Sequence, residues 1–217
     1  MGRLFSFLVL LGVLAFLADL AVTMAAERHA GEEVSTALGA PATADLNGWP
    51  VSLRLLTGTV PEAVISGTGV PFAEGQGRLT QLEIVLTDVE VPPTLPVTTI
   101  QAASGRFEAR IDQNDLRALV PEHPAVEDVQ LAGDGVRVLG PGGLSVEAAV
   151  AARDGSVVLS ADTGLPGVGS VELAVPAGQL PAGASLDDAR VEGAYLILGG
   201  PVDIARLVEE ADLPAVP

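Results

Sequence analysis

The chain has 217 residues, with 28 acidic side chains, 11 basic ones that are all arginine, and a formal net charge of −17. It contains no cysteine, which excludes thiolate catalysis, zinc–cysteine sites, iron–sulfur clusters and disulfide staples. The acidic balance argues against nucleic acid, whose phosphates require clustered basic side chains, and against docking on anionic headgroups through a basic patch.

Arg3 precedes an uncharged run over residues 4–18, fifteen residues long. That is the length of a signal-peptide apolar core and short for a membrane span. Extended across Asp19 to Ala26 the segment reaches 23 residues. As helix that is about 35 Å, enough to cross a bilayer with Asp19 near the outer interface. The best small-x-small cleavage match is Thr23-Met24-Ala25, and Asp19 spoils an earlier one at Ala21. The expectation is therefore an uncleaved signal anchor, a single transmembrane helix over residues 1–26. Arg3 would lie on the cytoplasmic side, and a domain over residues 27–217 would face the periplasm. The alternative is cleavage and release as a secreted or periplasmic protein. From Glu27 the pattern stays helical to Leu38, with Ala30, Val34, Ala37 and Leu38 on one face. Gly39 and Pro41 end it.

After Pro41 the pattern changes to short strands. Asn47-Gly48-Trp49-Pro50-Val51 holds the single tryptophan and precedes Leu53 and Gly58. It reads either as a core-anchoring turn with a short helix or as an apolar lip that meets lipid. The clusters Gly67-Thr68-Gly69 and Glu74-Gly75-Gln76-Gly77 are not followed by a helix start, so neither is a nucleotide loop. Leu82, Ile84 and Leu86 alternate with Glu83, Val85 and Thr87, and the apolar phase then slips to Val89 and Val91. The slip predicts a β-bulge near Thr87 and Asp88.

Residues 100–111 read as a long strand with Ala102, Phe107, Ala109 and Ile111 inward. Asp112 is placed to cap a short helix that runs to Val120. Asp134-Gly135 and Asp154-Gly155 predict two hairpins, the second entered by alternating Leu144, Val146, Ala148 and Val150. Residues 189–198 read as one strand, and residues 201–211 as a short helix with Pro201 in its first turn. The fold class is α+β, dominated by long antiparallel strands.

No catalytic apparatus stands out, and no cofactor is implied. His29 and His123 have no second histidine at metal spacing, and no metal site is predicted. The adjacent acids Glu32-Glu33, Glu127-Asp128, Asp187-Asp188 and Glu209-Glu210 diverge on either a strand or a helix, so they read as solvated charge.

The chain resembles the LmeA-like phospholipid-binding proteins of the actinobacterial cell envelope. The resemblance rests on an apolar N-terminus ending in Ala18-Asp19, a helix opened by Ala26-Glu27, and Gly-aromatic-Pro-aliphatic at residues 48–51 with Gly58 beyond it. Asp115-Leu116 in a short helix and the two later hairpins add to it. Family members often carry Phe-Leu after the proline, where this chain has Val51-Ser52. The resemblance implies a TULIP-like fold, a strongly bent antiparallel sheet wrapped around a helix and leaving an apolar cleft. It also implies phospholipid binding, without catalysis, in support of envelope lipid or lipoglycan metabolism beside the cytoplasmic membrane. On this reading Leu82, Ile84 and Leu86 face the lipid, with Trp49 and Leu53 near the mouth. The alternative is an envelope interaction or scaffold module whose core is filled. An enzyme acting on lipoglycan precursors would need convergent carboxylates, which the sequence does not display.

Overall fold

The computed structural model describes residues 2–48, 50–72, 77–90, 101–120, 126–161, 171–176 and 183–203. The chain begins with one uninterrupted helix, α1 (Gly2–Leu38), so the apolar run and the amphipathic segment share an axis. Gly39 ends it with φ +62°. Among the described residues no helix is long and apolar enough to cross a membrane.

The buried face of α1 differs from the expected one. Ala37 is exposed, while Gly31 is buried and Leu38 packs on the core. The reason is what the helix covers. Strand β1 (Ala42–Asn47) is the outer strand of a sheet and would leave its backbone groups bare on one side. Side chains of α1 satisfy three of them. Ser35 Oγ accepts from Ala42 N at 2.9 Å and donates to Ala42 O, and Glu27 Oε1 accepts from Leu46 N at 3.1 Å. Eight helical residues rise about 12 Å and four strand residues about 13 Å. The two bonds are therefore in step, with Gly31 seated between them on the β1 backbone.

Short helix α2 (Val51–Thr57) follows β1. The long hairpin β2 (Thr59–Phe72) and β3 (Gly77–Glu90) comes next, then β4 (Gln101–Ile111). Gly67-Thr68-Gly69 is part of β2. Of the expected turn at residues 74–77, Gly77 opens β3 and the rest lies outside the described residues. Helix α3 (Gln113–Leu119) is capped as expected, with Asp112 Oδ1 accepting from Asn114 N at 2.8 Å and Asp115 N at 3.0 Å.

The second sheet is built from β5 (Asp128–Ala132), β6 (Gly135–Gly140), β7 (Leu144–Arg153), β8 (Ser156–Ala161) and β9 (Val171–Pro176), in that order. The first sheet has six strands ordered β1-β2-β3-β4-β11-β10, completed by β10 (Asp188–Glu192) and β11 (Tyr195–Pro201). Every pairing is antiparallel. The architecture is α+β without a closed barrel. One apolar core joins both sheets, from Val60, Leu82 and Phe107 to Val129, Val157 and Leu159.

Three expectations are corrected. Residues 189–198 are not one strand, because Gly193 takes φ +61° and folds them into the β10–β11 hairpin. The β5–β6 turn is Gly133-Asp134 rather than Asp134-Gly135, since Ala132 pairs with Gly135 and Gly133 carries the positive φ. Pro201 closes β11 and Val202 bridges to Ala184, so the expected C-terminal helix does not start there, and its remainder lies outside the described residues. The Asp154-Gly155 turn forms as expected, with φ +49° and +72°.

At the α3–β5 junction, Asp128 accepts from Gln130 Nε2 at 3.1 Å and from Arg117 at 2.7 and 2.9 Å. These bonds, Gln130 foremost, hold its carboxyl below the usual carboxylate range. A lowered folded value stabilises the fold above the unfolded carboxylate pKa, about 3.9, and the gain is lost as pH falls through the folded value. Asp128→Asn should therefore melt earlier than the parent at neutral pH, with the gap closing in acid. Thermal melts across pH 2–7 check this.

Candidate functional site

The inward face of β3 carries Leu82, Ile84 and Leu86 by period-two alternation, and all three are buried. Ile84 lies opposite Ile65 on β2 and Phe107 on β4, Leu82 opposite Gly67 and Ala109, and Leu86 opposite Ala63 and Gly105. An added Cβ on Gly105 would stand 3.1 Å from Leu86 Cδ2 and 3.3 Å from Val202 Cβ, so these groups pack closely around Leu86. The three expected wall residues thus share one face and belong to the hydrophobic core.

Beyond Leu86 the apolar phase slips, as expected, but no residue is inserted. Thr87 still faces Glu62 and Ser104, and Val89 still faces Val60 and Ala102. The expected bulge is instead a lapse of pairing at Asp88 with a phase shift shared by three strands. Asp88 takes φ +50°, and its pairing lapses on both sides, toward Pro61 and toward Ala103. Pro61 has no N–H to donate to the ladder, which removes the bond that would hold Asp88 extended. In all three strands the inward positions skip by three here: Val60 to Ala63, Leu86 to Val89, and half-buried Ala102 to Gly105.

The lapse is also where the glycine–proline segment meets β2, at Pro61. Gly48 takes φ +116°, and a Cβ there would fall 2.7 Å from Pro61 Cδ. Only glycine fits against the proline. Pro50 O accepts from Arg54 N at 3.3 Å and opens α2. Val51 is buried, while Leu53 is 57% exposed. Trp49 lies outside the described residues. Because α2 leads through Gly58 into Thr59, which pairs with Glu90, Leu53 stands at the Leu86 end of the sheet.

One site residue was missed in the sequence. Asp19, expected near a membrane interface, is buried, and its Oδ2 accepts from Val51 N at 3.3 Å. This carboxylate fastens the start of α2 to α1, and the i+8 spacing from Asp19 to Glu27 and Ser35 was the available signal. Losing the acceptor for a buried N–H costs about 1–3 kcal/mol. Asp19→Ala should lower the melting temperature accordingly, and Asp19→Asn, which keeps an acceptor oxygen, should lose less. Thermal melts of the pair decide it.

A separate open groove of about 660 Å³ lies between α1 and β1, lined by Met24, Glu27, Arg28, Gly31, Glu32, Ser35 and Thr36 against residues 42–45. Its polar groups are engaged locally, Arg28 with Glu32 at 3.1 Å and Thr36 with the Glu32 carbonyl. None of the expected lipid-facing residues lines it.

Among the described residues the acids that come together do so around arginines. Arg190 reaches Asp188, Glu192 and Glu108, and Arg106 reaches Asp187. His29 pairs with Glu33 on α1, and His123 lies outside the described residues. Among the described residues no group of three His, Cys, Asp or Glu could hold a metal ion.

No curated protein and no solved structure matches the chain. A family model does match, over residues 17–200, and its description is LmeA-like phospholipid-binding.

Proposed function

The chain belongs to the LmeA-like phospholipid-binding family, and on that premise we propose that it is a non-enzymatic phospholipid-binding protein of the cell envelope. It holds acyl chains against the apolar face of the six-stranded sheet. Leu82, Ile84 and Leu86 form the wall, with Trp49 and Leu53 at the mouth. The observation that carries this placement is a coincidence of ends. Exposure is 0% at Leu82, 4% at Ile84, 8% at Leu86 and 4% at Val89, so the wall is least covered at Leu86. Leu86 lies beside the lapse of pairing at Asp88, on the side where α2 joins the sheet. An acyl chain enters there, past Leu86 and Val202, and the lapse of pairing supports the reading of a bent, TULIP-like cradle. The uncharged run before Asp19 holds the domain against the outer face of the cytoplasmic membrane, where its lipid is drawn.

Mass spectrometry of organic extracts from natively purified protein tests this. Stoichiometric phospholipid is the expected result. Clean extracts, together with no uptake of added phospholipid, count decisively against lipid binding.

One observation favours a second reading, an envelope interaction module with a filled core: the three wall residues pack into the continuous core of the ligand-free chain. The same extraction separates the two, because a filled core carries no lipid.

A further inference from the structure

We propose that α2 and the adjoining turns of α1 form a bilayer-docking surface, with Leu20, Val22, Met24 and Leu53 entering the interfacial zone of the membrane. This rests on the reading that the N-terminal run enters the bilayer. It goes further by assigning a membrane contact to the folded domain itself.

The first ground is where exposed apolar surface collects. Among the described residues the large exposed apolar side chains are Phe16, Leu20, Val22, Met24, Leu53, Leu144 and Tyr195. Five of these seven lie on α1 and α2, which pack together. A soluble surface scatters such residues singly.

The second ground is length. The bond from Asp19 to Val51 N pins α2 to α1 at residue 19. Between Arg3 and that point the helix carries an uncharged run of fifteen residues, 4–18. It rises about 22 Å, less than the hydrocarbon core of about 30 Å. A helix that buries this run as deeply as it can must bring the level of Asp19, and α2 with it, down to the membrane surface.

The third ground is the distribution of charge. Asp19 is buried, and the next charged side chains along α1 are Glu27 and Arg28. The belt from Leu20 to Ala26 is therefore uncharged and rises about 9 Å, comparable to the depth of roughly 5–10 Å to which interfacial helices sink. The partner is a lipid surface met through apolar contact, because a chain of net charge −17 gains nothing from anionic headgroups.

The absence of cysteine makes the test clean. The full-length chain carrying Leu53→Cys, and separately Met24→Cys, is labelled with an environment-sensitive fluorophore and reconstituted into phosphatidylcholine vesicles. Glu147→Cys, on the second sheet, serves as the exposed control. Flotation reports anchoring, and nitroxide-labelled phosphatidylcholine reports contact. The expected result is flotation, a blue shift and quenching at positions 53 and 24, none at 147, and little change with added salt. Flotation without quenching at 53 and 24 overturns the docking and leaves the anchor standing. A blue shift without quenching means that a second copy covers the surface, which also overturns it. A chain that does not float loses both anchor and docking.

Discussion

Ile84→Asp is expected to abolish the cooperative fold of the ligand-free chain. Ile84 is 4% exposed between Ile65 and Phe107, with Leu82 and Leu86 on the same face. A carboxylate there has no basic partner: the nearest arginines along the paired strands, Arg106 and Arg110, fall on the opposite face by alternation. An uncompensated buried charge costs about 3–5 kcal/mol, a large fraction of the stability of a domain this size. Circular dichroism should show a melt that is greatly lowered or lost. A variant that melts normally would show that the face is wet and open. If it also took up lipid, Ile84 would not be part of the wall.

Gly200→Ala should be nearly as damaging, for a different reason. The segment before β10 lies across β11 at this glycine, held by Ser185 N to Pro201 O at 3.0 Å and Asp187 N to Gly199 O at 3.0 Å. A Cβ on Gly200 would fall inside the Ser185 carbonyl, which is backbone fastened on both sides. Relief requires breaking those bonds, so the cost lies at or above the upper end of the roughly 1–3 kcal/mol typical of overpacking. A fall in melting temperature larger than that of Asp19→Ala is the expected outcome, and equal melting of Gly200→Ala and parent would contradict it.

What could be read from the sequence was local. The Asp112 cap, the Asp154-Gly155 turn and the end of α1 at Gly39 each depend on a few neighbouring residues, and each formed as expected. The shared face of Leu82, Ile84 and Leu86 follows from strand period alone. What could not be read depended on partners distant in the chain. The phase slip at Asp88 looked like a bulge because the sequence does not reveal that Pro61 lies across from it. The Gly193 turn follows Glu192 and runs into apolar residues 194–198, without the Asn-Gly or Asp-Gly signal that marks tight hairpins. The role of Asp19, Glu27 and Ser35 on α1 emerges only when β1 and α2 are laid beside the helix.

The central claim is that phospholipid lies against the Leu82–Leu86 face, and photocrosslinking tests it most directly. A phospholipid carrying a diazirine in its acyl chain is loaded onto the full-length protein and activated by light. Since every basic residue is arginine, trypsin releases residues 79–106 as one peptide that holds all three wall residues. Adducts on Leu82, Ile84 or Leu86 are the predicted result. Adducts confined to α1 and α2, or none at all on the 79–106 peptide, would contradict it.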